Sequence, residues 1–162
     1  MIDAVFRPLS DGDRVLLGQA TLGNVNWNGD RFTLDQVRET EALAHYLEFD
    51  PERGDIGIVA ERDGRAVGVA WVFFLPAENP GFGYVDADIP ELSLWVHPNA
   101  RGQGLGRQLL RELLDASSQR AIDAVSLSVE EGNFARQLYL SEGFKDVPGS
   151  GVNGVMVRQL RR

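Results

Sequence analysis

Three glycines in alternation, Gly102, Gly104 and Gly106, stand between the runs ELSLWV and RQLLRELL. A helix that opens on such a turn has free backbone N–H groups, and its N-terminus carries roughly half a unit of positive charge. Ser, Thr, Asp or Asn normally supplies a cap. None stands at this start, and Asn99 lies too early to serve. Arg101, Arg107 and Arg111 add positive charge with no acid among them, in a chain of net charge −8. The chemistry that suits this arrangement is anion binding by backbone donors, which requires no particular side chain. Two common glycine-loop patterns fail at named positions. Counted from Gly102, a Walker A loop needs its second Gly where Arg107 stands. A dinucleotide fingerprint needs its third Gly at the same position, or where Leu109 stands in the other register.

The rest of the composition narrows the chemistry. There is no cysteine, so disulfides, thiolate nucleophiles and Cys-based zinc sites are excluded. With two histidines, His45 and His97, no His-built metal site is expected. His97 precedes a proline at a strand end and reads as structural, whereas His45 reads as an exposed helix residue. No Ser–His pairing is recognisable for acyl-serine chemistry. The charge of −8 and a pI near 4.7 argue against non-specific nucleic-acid binding. They suit a cationic partner such as an amine, although acidity also serves solubility alone. A length of 162 residues with 43% hydrophobic content predicts one domain, residues 1–162. No apolar leader or membrane-length apolar run is present, so the expectation is a cytoplasmic protein with no membrane span.

A strand must precede the glycine turn and a helix must follow it. Glu91–Val96 reads as that strand, stopped by His97-Pro98. Leu105, Leu109, Leu110, Leu113 and Leu114 form the apolar side of the helix. Upstream, Ala4–Leu9 reads as a strand and Asp11–Gly23 as a helix with an Asp cap. Thr33–Phe49 reads as one helix, opened by the Thr33/Gln36 capping-box spacing, with apolar residues at 34, 37, 43 and 47. Two strands flank Asp63-Gly64, a strong hairpin signal. Pro76–Pro90 is a long loop, a length that is often functional. Ala124–Val129 is a strand, Asn133–Phe144 a short helix, and a last strand pair flanks PGSG. The order β-α-α-β-β-β-α-β-α-β-β predicts a single mixed α/β domain.

Arg101-Gly102-Gln103-Gly104-Leu105-Gly106 fits the pattern [R/Q]-x-x-G-x-[G/A] and resembles the acetyl-CoA pyrophosphate loop of the GNAT family of N-acetyltransferases. NFARQLYLSEGF, of the form N-x-A-x-x-L-Y-x-x-x-G-F, resembles that family's second conserved block. The first half of the chain is similar only in layout. The resemblance implies a mostly antiparallel sheet of about six to seven strands flanked by about four helices. The strands at Glu91–Val96 and Ala124–Val129 would splay to admit the pantetheine arm.

Residue by residue, the resemblance implies that backbone groups near Trp95, Val96 and His97 bond the pantetheine and polarise the thioester carbonyl. The N–H groups of Gly102, Gln103, Gly104, Leu105, Gly106 and Arg107, flanked by Arg101, would hold the pyrophosphate. Asn133 and Tyr139 match the second cofactor-contacting block, and Arg136 would reach the adenosine phosphates. Tyr139 would act as general acid, since a phenol of pKa about 10 stays protonated and can donate to a thiolate of pKa roughly 8.5. Glu91 would be the general base, directly or through water, although a one-residue register slip would turn it to the other face. Asp86 and Asp88 are rival acids that could bind a cationic acceptor. The function implied is transfer of an acetyl group from acetyl-CoA to a primary amine of a small molecule or peptide, by direct attack in a ternary complex. No metal is implied. The alternative is a non-catalytic acyl-CoA-binding module of the same fold. Family members often dimerise, so a homodimer is expected. The acceptor has no signature in the sequence.

Overall fold

A computed structural model describes residues 3–160. Its centre is the hairpin of β2 (Ile56–Arg62) and β3 (Arg65–Phe73), turned at Asp63 and Gly64 with φ of 53° and 76°. Positive φ at both central residues matches the right-handed twist of the flanking strands. β1 (Val5–Pro8) adds antiparallel to β2, and β4 (Glu91–Val96) adds antiparallel to β3. β5 (Ala124–Ser128) runs parallel to β4, and β7 (Val155–Gln159) lies between β5 and β6 (Lys145–Asp146). The sheet order is β1-β2-β3-β4-β5-β7-β6.

The β4–β5 contact is the exception in this sheet. Its register is confined to Glu91 opposite Ser126, with the Ser126 N–H donating to Pro90 O at 3.0 Å. Beyond that pair a cavity is lined by both strands, so the ladder opens where the resemblance implied a splay.

Alternation of side chains along the strands builds two cores. Val69, Trp71 and Phe73 of β3 face α1 (Arg14–Val25), which contributes Leu16, Leu17 and Ala20. Ala70 and Val72 face α4 (Leu105–Gln119), whose Leu105, Leu109, Leu110 and Leu113 are buried. Each such leucine is worth about 1.5–3 kcal/mol of transfer free energy, which holds α4 firmly on the sheet behind the glycine turn. Among the described residues no helix is long and apolar enough to cross a membrane.

The Thr33–Phe49 segment is not one helix. It forms α2 (Leu34–Glu39), α3 (Glu41–Ala44) and a 3-10 turn at His45–Leu47, with an extended break at Thr40. The Thr33 capping box forms as its spacing predicts, with reciprocal bonds of 3.2 and 2.9 Å to Gln36. The break follows from the apolar spacing. In a continuous helix Leu43 would lie about 240° around the axis from Val37, at about 100° per residue. With the break, Val37, Leu43 and Tyr46 all reach the interior. The same fold overturns the reading of His45, which is buried at 4% exposure, with Nδ1 3.2 Å from Asn79 Oδ1. Asp13 does not cap α1, because its carboxylate accepts from Arg7 and from the Ser10 N–H. The second conserved block forms α5 (Ala135–Ser141).

Candidate active site

A cavity of about 420 Å3 opens where β4 and β5 part. Glu91, at the start of β4, is on its wall and only 5% exposed. The register doubt is resolved by its strand neighbours. Trp95 belongs to the α1-side core, and Ser93 Oγ accepts from Asn24 Nδ2 of α1 at 3.2 Å. Glu91 therefore faces α1.

Its carboxylate is gripped by residues distant in sequence. Glu91 Oε2 accepts from the Tyr46 hydroxyl at 2.6 Å, and Oε1 accepts from the Gly83 N–H at 3.1 Å. The Tyr46 oxygen in turn accepts from the Phe82 N–H at 2.9 Å. Glycine is required at 81, where a Cβ would come within 2.1 Å of Glu91 Oε1. Burial raises the Glu91 pKa from 4.5 to about 7, outweighing the lowering by the Tyr46 and Gly83 bonds. Burial, reinforced by the Glu91 charge, also pushes the Tyr46 hydroxyl up, so Tyr46 remains a donor.

Tyr139 approaches the same cavity from the other face of the sheet. It sits on α5 within the α4-side core, in edge contact with Phe144 at a ring separation of 5.6 Å. Its hydroxyl bonds no group among the described residues, and burial raises its pKa. The opening between β4 and β5 thus joins a buried carboxylate on one face to a protonated phenol on the other.

At the far end of β4, a 3-10 turn at Pro98–Ala100 leads into the glycine turn. Gly102 and Gly104 have φ of 75° and 84°, left-handed values that favour glycine. Gly104 is the N-cap of α4 and offers no side chain. The Gln108 N–H bonds Gly104 O, but the N–H groups from Gly102 through Arg107 find no acceptor among the described residues. Arg101 Nε donates to Val96 O at 3.0 Å, and Arg62 Nη2 donates to Gln103 Oε1 at 2.9 Å.

The sequence model of the acetyltransferase (GNAT) family matches residues 23–144, which contain the Glu91 strand, the glycine turn and α5. The chain belongs to the GNAT family. Over 115 residues it is 37% identical to a mycothiol acetyltransferase of Thermomonospora curvata, covering 70% of this chain and 33% of that protein. Over 98 residues it is 30% identical to an L-2,4-diaminobutyric acid acetyltransferase of Nocardia farcinica, covering 60% of this chain and 47% of that protein. The chain therefore spans from about a third to about half the length of these relatives. The crystal structure of the paiA N-acetyltransferase of Thermoplasma acidophilum, in complex with coenzyme A, superposes with a TM-score of 0.72 at 18% identity, covering 98% of this chain and 99% of that one. At that identity the likeness is one of fold.

Within this GNAT fold the other expected site residues fall as follows. The His97 N–H donates to Val67 O at 2.8 Å, and His97 Nδ1 accepts from the Asn99 N–H, so His97 caps the turn after β4. Trp95 is opposite Val69, and backbone direction alternates along a strand, so Val96 turns its N–H and C=O toward the open side. The Trp95 side chain lies in the core. Asn133 Oδ1 accepts from the Ala135 N–H at 3.0 Å, and Asn133 lines the cavity. Arg136 pairs with Asp146 at 2.6 Å. Arg107 and Arg111 both grip Glu142, and the Arg111 bond, with help from Arg107, pulls that carboxyl below its usual range against the raising effect of burial. Asp86 and Asp88 are exposed, with Asp86 Oδ1 accepting from the Asp88 N–H. Sequence reasoning missed Tyr46, Gly83 and Arg62. The GFG run inside the long loop was the available signal for Gly83, and nothing local marks Tyr46 or Arg62.

Proposed function

We propose that this chain is an acetyl-CoA-dependent N-acetyltransferase that moves an acetyl group to a primary amine by direct attack. The observation that carries this reading is the single cavity joining Glu91 to Tyr139 across the open sheet, with an uncapped helix start at the end of β4. The acetyltransferase names of the matched relatives support the reaction class, and the coenzyme A bound to the Thermoplasma protein supports the donor. When bound, acetyl-CoA supplies an activated thioester.

The glycine turn fits the donor's pyrophosphate. The free N–H groups from Gly102 through Arg107 meet its charge, with Arg101 and Arg62 beside them. The Val96 N–H is the group turned to bond the acyl end. Glu91 receives a proton from the acceptor amine, directly or through water. At pKa about 7 it is a better base at neutral pH than an ordinary carboxylate. A lysine-like amine in water is only about one part in a thousand neutral at pH 7, but burial in the cavity lowers an ammonium pKa and narrows that gap. Tyr139 delivers its phenolic proton to the departing sulfur.

The test combines thermal stability with product release. Acetyl-CoA raises Tm by mass action, and an amine panel gives CoA release above background hydrolysis. Stabilisation without amine-dependent release would make the chain a binding module, and no stabilisation at millimolar acetyl-CoA would remove the donor site.

A further inference from the structure

The lining of the cavity says what kind of amine it accepts. Of its ionisable side chains, Arg31 is already paired with Glu130 and uses four of its five N–H donors. It donates to Glu130 at 2.7 and 3.3 Å and to Val25 O at 2.6 and 3.0 Å. Glu91 has no cationic partner among the described residues, only the Tyr46 and Gly83 donors. A carboxylate on the acceptor would thus enter beside a buried acid, where the only cation lining the cavity among the described residues is already paired with Glu130, and like charges in a desolvated site repel.

Two of the polar side chains, Asn24 and Asn133, are also engaged. Asn24 donates to Ser93, and Asn133 accepts from the Ala135 N–H. Trp27 Nε1 is buried there with no hydrogen-bond partner among the described residues, and so is the hydroxyl oxygen of Thr21. Thr21 shares the wall with Glu91, so the two offer acceptors for an amine's N–H groups.

What remains is aromatic. Trp27, Phe32, Tyr46 and Phe82 all line the cavity. Phe82 is 43% exposed, unusual for a phenylalanine, and stacks nearly parallel on Tyr46, with centroids 6.3 Å apart and planes at 9°. Its amide is fixed by the Tyr46 oxygen, so the bond chain that positions Glu91 also positions this ring. A volume of about 420 Å3 is near the lower end of the usual range for ligand pockets, roughly 300–1,000 Å3, and the acyl end of the donor must share it.

We infer that the acceptor is a small primary amine with an apolar, preferably aromatic, body and no carboxylate. Its nitrogen lies at Glu91 and Thr21 and its body against Phe82. This rests on the acetyltransferase reading and adds the substrate class to it.

The matched pair 2-phenylethylamine and L-phenylalanine tests it, since the two share ring and amine and differ by the carboxylate. Spermidine and an alanine-initiated peptide complete the panel, with CoA release as readout. The expected kcat/KM for 2-phenylethylamine exceeds that of each of the others by about tenfold or more, a step of about 1.4 kcal/mol. Phe82→Ala raises KM for 2-phenylethylamine about tenfold, with kcat within about twofold and the Tm shift by acetyl-CoA unchanged. Equal or better use of L-phenylalanine, spermidine or the peptide overturns the substrate class while leaving the transferase intact. Absence of turnover with every amine, despite stabilisation by acetyl-CoA, overturns the transferase reading and this inference with it.

Discussion

The glycine turn and the Glu91 pocket both make a place for charge, and they do so by opposite means. At the turn, backbone N–H groups of one contiguous run have no acceptor among the described residues, because the cap has no side chain. At the pocket, side chains and amides from the first half of the chain, the long loop and β4 converge on one carboxylate. The first device tolerates changes of side chain and fails with changes of backbone. The second depends on particular atoms.

Substitutions can break that contrast. Glu91→Gln removes the base, and kcat for amine-dependent CoA release falls by about 10²–10³-fold with acetyl-CoA affinity unchanged. Tyr139→Phe lowers kcat by about 10–100-fold, and because its hydroxyl bonds no described group, Tm stays within about a degree. Gly104→Ala imposes a side chain on a residue at φ 84°. It costs roughly 1 kcal/mol of stability and weakens acetyl-CoA several-fold. Tyr46→Phe sharpens the contrast instead: losing a bond that lowers the Glu91 pKa moves the kinetic inflection above pH 7, visible in kcat/KM against pH. Arg111→Ala is the smallest, changing acetyl-CoA affinity by about twofold or less by titration, because the exposed Arg111 already pairs with Glu142.

Stability carries the same signature. The folded-state pKa of Glu91 lies above its ordinary 4.5, so the folded state holds the proton more tightly between about 4.5 and 7. The contribution of this group is therefore fully present below pH 4.5 and lost as pH rises through about 7. Glu91→Gln flattens that part of the Tm–pH curve.

Legibility in the sequence divides along the same line. The Glu91–Val96 strand has the predicted bounds, the Thr33 box forms, and the glycine turn is uncapped, because each is encoded within a few neighbouring residues. The breaks are where distant residues decide. Thr40 interrupts a helix so that Leu43 can rejoin the core, and His45 is buried by that bend. The arginines that look unopposed along the chain meet Glu142 and Asp146 only after folding. Glu91 was legible as an acid at a strand start. Its elevated pKa was not, since that comes from burial with the loop drawn closely over it.

The most direct test of the account is the pH profile of kcat/KM for amine-dependent CoA release, in wild type and in Glu91→Gln at matched acetyl-CoA saturation. The expected result is a wild-type rise with its inflection near pH 7 that is absent from the variant, with acetyl-CoA binding equal in both. The same inflection and the same rate in Glu91→Gln would contradict it.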